Sequence, residues 1–259
     1  MKTNPLILAV ETSGRTGSVA IALGEKLLDE DSFTAPMRHS AEIFPAVQEL
    51  LKRFSRKPKD IEHIYISVGP GSFTGLRIAV ALAKAMHLAN SAKIVAVDTL
   101  DVLAANATDY IKDLSSVLSS VAEAKEEAKA KEEEQVKDLT RIAAILDAKR
   151  GQFFIAAYEY EQGLWKKIMP DCLMTAEQFL EKFAGKSHPV WLLGEGLVYY
   201  KDRFEAEGVR FLDEKYWNPR AENVHKLGWQ MALAGQFADP LTLQPTYLRK
   251  PDIGSPVLG

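Results

Sequence analysis

Apolar runs and turn formers alternate from the start of the chain. Leu6-Ile7-Leu8-Ala9-Val10 is continuously apolar, which predicts a strand covered on both faces. Glu11-Thr12-Ser13-Gly14-Arg15-Thr16-Gly17 predicts a turn, Ser18 to Leu23 a returning strand, and Leu27 to Phe33 a third antiparallel strand after a tight turn at Gly24-Glu25-Lys26. From Ala41 to Phe54 the period lengthens. Ile43, Phe44, Val47, Leu50, Leu51 and Phe54 fall at helical spacing, with Ser40 as the expected N-cap. Strands then alternate with helices: His63 to Val68, a long helix from Thr74 to Asn90, a strand at Lys93 to Val97 and a helix from Thr99 to Ala107. This order predicts a sheet with parallel strands and helices across it.

Beyond Ser115 the composition changes. Residues 121–134 are Ala, Glu and Lys with almost no large apolar side chain, so this stretch has nothing to bury and reads as a solvated helix or a disordered surface insertion. The strand pattern then returns at Arg141 to Leu146 and Phe153 to Tyr158, around a turn at Asp147-Ala148-Lys149-Arg150-Gly151-Gln152. Both here and at the N-terminus, an apolar strand ends in a carboxylate (Glu11, Asp147) and leads through a turn with glycine and a base into a return strand. The repetition predicts two lobes of one plan. The second continues with a helix at Thr175 to Phe183, a strand at Val190 to Leu193, a turn at Gly194-Glu195-Gly196 and a last helix at Ala221 to Phe237. The expected division is an N-terminal lobe over 1–108, with the last helix packing back on it, a charged insertion over 109–138, a second lobe over 139–220 and a tail over 238–259.

Composition narrows the class. The chain has 259 residues, 47% of them hydrophobic and 26% charged, which suits a globular protein with a substantial core. One cysteine, Cys172, excludes an internal disulfide and reads as a structural thiol. A net charge of −3 argues against a protein that holds nucleic acid by bulk electrostatics. The one basic cluster, Lys52 to Lys59, reads as a solvated helix end. No apolar run reaches the ~18 residues of a membrane helix, and Leu6–Val10 is too short for a signal-peptide core, so a cytoplasmic protein is expected.

The sharpest local signal is Gly69-Pro70-Gly71-Ser72-Phe73-Thr74-Gly75-Leu76-Arg77, between a strand and a helix. It lacks the lysine of a phosphate-binding P-loop, the third glycine of a dinucleotide loop and the first glycine of a nucleophile elbow. A helix N-terminus can bind an anion; a tight packing turn is the preferred alternative. Glu11 and Asp147 have two readings of equal weight: a magnesium–phosphate pair across an interlobe cleft, or acids that cap their own turns. No two of the five histidines (His39, His63, His87, His188, His225) stand one helical turn apart, so no helical metal pair exists. His39 is expected to order the start of its helix. The Thr74–Asn90 helix is apolar or small almost all round. Beside the Ala41–Phe54 helix, it predicts either a doubly covered surface within the chain or, preferred, a two-helix face for a partner.

The segments Ile7 to Ser13, Gly69 to Arg77, Leu146 to Gly151 and Pro245 to Arg249 resemble the TsaB family of bacterial threonylcarbamoyladenosine biosynthesis proteins across nearly the whole chain, apart from the charged insertion. The resemblance implies two ribonuclease-H-like lobes of the actin-like ATPase type. It further implies a non-catalytic subunit that dimerises with its paralogue TsaD, recruits the ATPase TsaE and meets tRNA indirectly, through the complex. That complex transfers threonylcarbamoyl to the adenosine 3′ of the anticodon in tRNAs reading codons that begin with A. The two N-lobe helices would form the interface, in a homodimer when the chain is alone. Their candidate contact residues are Ile43, Phe44, Val47, Leu51, Arg77, Ile78, Ala81, Leu82 and Ala85. Glutamate at Val47 or Leu82 is expected to abolish pairing and leave the monomer folded. The chain would carry no catalytic residue, metal or cofactor of its own, and a nucleotide would bind only at the complex interface. Glu11, Thr12, Ser13 and Asp147 are the weak nucleotide candidates, and Glu11 stands where the family usually has Asp. The alternatives are an ATP- and magnesium-dependent enzyme of the same fold, or a glycoprotease-like metallopeptidase.

Overall fold

The computed structural model describes residues 4–33, 39–120, 138–185 and 188–249. Two five-stranded mixed sheets carry the fold. The first contains β1 (Leu6–Glu11), β2 (Gly17–Leu23), β3 (Lys26–Phe33), β4 (His63–Ser67) and β5 (Lys93–Val97), in the order β3-β2-β1-β4-β5. The second contains β6 (Arg141–Asp147), β7 (Phe153–Glu161), β8 (Leu164–Met174), β9 (Val190–Leu193) and β10 (Val209–Phe211), in the order β10-β9-β6-β7-β8. In each, the first three strands form an antiparallel meander and the last two join in parallel, so the two lobes repeat one topology.

Five helices flank the sheets among the described residues: α1 (His39–Arg53), α2 (Phe73–Asn90), α3 (Thr99–Ser120), α4 (Ala176–Phe183) and α5 (Ala221–Leu233). All six residues of β1 are buried because both faces of its sheet are covered. Leu6, Leu8 and Val10 pack with Ile43, Leu50, Ala79 and Leu82 under α1 and α2. Ile7 and Ala9 alternate to the other face and pack with Tyr65, Val95, Val224 and Ala232 under α5. A strand's two-residue period thus splits one apolar run between two separate cores.

The last helix packs on the first lobe. Its first turn is pinned there by the Ala221 amide, which donates to Ser18 Oγ on β2 at 2.8 Å. In exchange, α3 leaves β5 and places Leu100, Leu103, Ala104 and Ala107 in the core of the second lobe. The two exchanged helices meet through buried amides: Asn223 Nδ2 donates to Asn106 Oδ1 at 2.6 Å, and Asn106 Nδ2 to the carbonyls of Tyr216 and Asn218.

Several expectations need correction. Ser40 lies inside α1 and does not precede it. The helix expected to stop at Ala107 runs on to Ser120, because Tyr110 and Ile111 still find apolar partners on the second lobe. Residues 121–137 of the charged stretch lie outside the described residues. β8 and β10 were missed. β8 is an edge strand holding Pro170 and only one fully buried residue, Met169, so its apolar periodicity is weak. Thr175 does cap α4, accepting from the Gln178 amide, while Gln178 Oε1 accepts from the Thr175 amide. The basic residues of Lys52 to Lys59 are exposed at the end of α1, as expected, and Arg53 among them also donates to Asp29 and Asp31 on β3.

The return of α5 has a measurable consequence. A Cβ at Gly228 would lie 2.6 Å from the Tyr65 ring, closer than packed atoms approach. Gly228→Ala should therefore destabilise the chain by about 1–3 kcal/mol in urea unfolding, through forced repacking of a buried aromatic against a helix backbone.

Candidate functional site

The Gly69–Arg77 loop is built to let backbone meet backbone. A Cβ on Gly75 would sit 1.8 Å from the Thr12 carbonyl, and one on Gly71 would sit 2.7 Å from the Ser13 carbonyl. Only glycine permits these approaches. The contacts they allow are specific: the Ser72 amide donates to the Ser13 carbonyl at 2.7 Å, and Thr12 Oγ1 donates to the Gly75 carbonyl at 2.8 Å. Ser72 caps α2, its hydroxyl accepting from the Gly75 amide at 3.3 Å. The start of α2 is thus occupied by the turn after β1, and the packing reading of Gly69, Pro70, Gly71, Ser72, Phe73, Thr74 and Gly75 is the one the geometry supports.

The other side of the loop is held by the chain's last described segment. The Thr246 amide donates to the Val68 carbonyl at 2.7 Å. The Tyr247 ring lies tilted against Phe73 with ring centres 5.2 Å apart, and its hydroxyl accepts from Arg77 Nε. Arg249 then crosses to the second lobe, donating to the Ala148 carbonyl at 2.6 Å and to Gln152 Oε1. The segment straps the loop to the β6–β7 turn. Its signal in the sequence was only the resemblance of Pro245 to Arg249.

Glu11 and Asp147 both cap their own turns. Glu11 Oε1 accepts from the amide and hydroxyl of Ser13, and Asp147 Oδ1 accepts from the Lys149 amide at 2.7 Å. Burial pushes the Glu11 carboxyl up from its ordinary value, against the lowering effect of the Ser13 bonds. Ser67 lies close enough to favour its charged form, yet Oε2 and the Ser67 hydroxyl do not reach hydrogen-bond geometry with each other. An acid the sequence did not single out stands between the lobes. Glu195 Oε2 accepts from the Arg15 amide at 2.7 Å and packs against Gly14. Burial raises its titration too, and it is the acidic neighbour that Glu11 feels. The Arg15 backbone amide in the first turn is thus bonded to this carboxylate. Among the described residues no three His, Cys, Asp or Glu side chains converge to hold a metal.

A second unforeseen cluster joins the lobes from behind. Lys167 on β8 pairs with Asp171 at 2.7 Å and with Asp101 at 2.8 Å, while the Tyr158 hydroxyl donates to Asp101 at 2.8 Å. Burial, with Asp171 beside it, pushes the Asp98 carboxyl up to about 8. Cys172 is half-buried, its thiol donating to the Ile155 carbonyl; burial raises the thiol and leaves it a weak nucleophile.

The nine residues proposed for the helical face divide. Ile43, Val47, Leu51 and Leu82 point into the lobe's own core, at 0%, 8%, 2% and 8% exposure. Phe44, Arg77, Ala81 and Ala85 are exposed and Ile78 is half-buried. Phe44 on α1 is 55% exposed, and Phe73 and Leu88 on α2 are 40% and 85% exposed. Glutamate at Val47 or Leu82 would therefore unfold the lobe before it tested any partner. The helical period alone does not say which edge of a wide apolar stripe meets the sheet.

These features define a two-lobed α/β protein in which two five-stranded mixed sheets repeat one topology and apolar residues of α1 and α2 stand exposed. The comparisons agree. Residues 34–120 match the family model described as TsaD, tRNA N6-adenosine threonylcarbamoyltransferase. The TsaB biosynthesis protein of Bacillus subtilis is 30% identical over 247 residues, spanning 94% of this chain and 93% of the relative. That of Escherichia coli is 25% identical, spanning 94% of each. A crystal structure from Pseudomonas aeruginosa, described as an uncharacterized protein with similarity to peptidase YEAZ, superposes with a TM-score of 0.73 at 22% identity, over 95% of this chain and 100% of that one. The chain belongs to the TsaB family of tRNA threonylcarbamoyladenosine biosynthesis proteins.

Glu11→Gln isolates the cost of the buried charge. Because the folded carboxyl titrates above its unfolded value of 4.5, its favourable contribution is complete below that pH and is lost as pH rises above it. The stability of the Gln variant relative to the parent, from urea melts, should rise between pH 4.5 and neutrality. A constant difference would show that Glu11 is not desolvated.

Proposed function

We propose that the chain is a non-catalytic scaffold of a tRNA threonylcarbamoyl transferase assembly, acting by pairing its α1/α2 face with the paralogue TsaD and so supporting recruitment of the ATPase TsaE. The observation that carries this reading is the exposed apolar surface of Phe44, Ala81, Ala85 and Leu88, with half-buried Ile78, on two adjacent helices whose opposite sides fill the core. Small residues at Ala81 and Ala85 allow a facing helix to approach closely, and burial of the large ones contributes about 25 cal/mol per Å² before ordering costs. The family-model match to TsaD over residues 34–120 includes both helices, which suits a pseudo-symmetric pairing of two similar lobes. The same face would pair with itself when the paralogue is absent.

Catalysis by this chain is disfavoured by how its acids are spent. Glu11 and Asp147 serve their own turns, and Glu195 occupies the Arg15 amide, so a nucleotide would be bound with a partner's help at the assembly interface. Cytoplasmic location accords with the tRNA substrate and with the absence, among the described residues, of a helix long and apolar enough to cross a membrane.

Phe44→Glu and Ala85→Glu place a charge on the face without touching the core. Each should weaken pairing with TsaD at least tenfold, about 1.4 kcal/mol, in sedimentation equilibrium, with the melting temperature of the isolated chain held. Threonylcarbamoylation of tRNA in a reconstituted assembly should fall in parallel. Modification that persists at full rate after pairing is lost overturns the scaffold reading.

A further inference from the structure

We propose that the rim where the β1–β2 turn meets the second lobe is a docking surface for the phosphate backbone of an RNA strand, formed by Arg15, Lys149, Lys201, Arg203 and Arg249 together with the exposed ring of Tyr199. This goes beyond indirect contact with tRNA, and it rests on the chain being a subunit of a tRNA-modifying assembly.

Several cations elsewhere on the molecule pair with carboxylates. Arg53 pairs with Asp29 and Asp31, Arg220 with Glu30 and Glu222, and Lys226 with Asp109. At the rim they are held by neutral groups. The Arg15 guanidinium lies 4.3 Å over the Tyr199 ring, Arg203 lies 5.1 Å from the Tyr200 ring and Lys201 lies 5.1 Å from the Phe211 ring. Arg249 donates to a carbonyl and an amide oxygen. Lys149 pairs with Asp147 at 2.6 Å, but its own side chain is 71% exposed. The turn that carries Lys149 adjoins Arg203: a Cβ at Gly151 would lie 3.6 Å from the Arg203 guanidinium. Glu195, Glu177 and Asp147 are the neighbouring acids; Glu195 is half-buried and bonded to the Arg15 amide, and Asp147 pairs with Lys149.

The arrangement selects an extended polyanion. Aromatic faces fix the cations without cancelling their charge. Tyr199 is 67% exposed and offers its ring to a base, which an acidic peptide would not use. A mononucleotide phosphate seeking the first turn would have to displace Glu195 from the Arg15 amide, whereas a strand lying across the rim meets no such obstacle. None of these residues belongs to α1 or α2, so pairing through the helical face does not consume them.

The test titrates unmodified tRNA transcript into the isolated chain and into its assembly with TsaD, by fluorescence anisotropy at several salt concentrations. Replacing Arg15, Lys201 and Arg203 together by Ala should weaken binding at least tenfold and lower the slope of log K against log salt by about two to three, since each contact contributes roughly 0.7–0.9. Tyr199→Ala should lower affinity about fivefold or more and leave that slope unchanged. Lys201→Glu, on one exposed side chain, gives the same test should the triple variant fail to fold. Unchanged affinity and slope in a folded variant overturn the proposal, as does polyglutamate of matched charge competing as well as tRNA, or no tRNA affinity in either preparation. Loss of pairing with TsaD would count against the scaffold reading instead, and the isolated chain would then decide the rim.

Discussion

A sheet with two apolar faces has to be covered twice, and the N-lobe helices α1 and α2 cover only one side of theirs. The other is sealed by α5, which the chain delivers only after completing the second lobe. In return, α3 crosses to the second sheet. Each lobe therefore depends on a helix reached through its neighbour, and the buried Asn106–Asn223 contact joins the exchanged helices at their crossing. Cutting the chain between the lobes would leave the Ile7, Ala9 and Tyr65 face of the first sheet without its cover. The pair is one mechanical object made of two similar halves.

This exchange frees the outer surface of α1 and α2. Because α5 seals the inner face, the first two helices need only one side each for the core, and their far sides remain uncovered with Phe44 and Leu88 exposed. The strap from Thr246 to Arg249 runs from the start of α2 to the β6–β7 turn, through Tyr247 against Phe73 and Arg77. It ties the proposed partner face to the mouth of the cleft. On the scaffold reading this rigidity is useful: a surface held in place before contact loses less freedom on association.

Within the cleft, polar groups that a nucleotide enzyme would direct at its ligand are turned on the protein itself. Thr12 and Ser13 hold the glycine loop, Glu11 holds Ser13, and Glu195 holds the Arg15 amide. The cost of burying the Glu11 and Glu195 carboxyls appears as their raised titration. Beside this closure the Arg15 guanidinium lies over the exposed Tyr199 ring.

The pattern of residues by itself determined the elements with strong periods: β1, β2, β4, β5, β6, the long α2 and the repeated strand–acid–turn that announced two equal lobes. It also reached the family, through the Gly69–Arg77 loop. Elements with weak local signals were not legible: β8 buries one residue fully at a sheet edge, and β10 is three residues long. Only the tertiary structure decided which side of each wide apolar helix met the sheet, sending Val47 and Leu82 inward and Phe44 outward. It alone brought Glu195 to Arg15, 180 residues away, and Arg249 to Gln152. A local period records that a side chain is apolar and how often it recurs, but the partner it meets is set by contacts between distant segments, and those exist only once the chain has closed on itself.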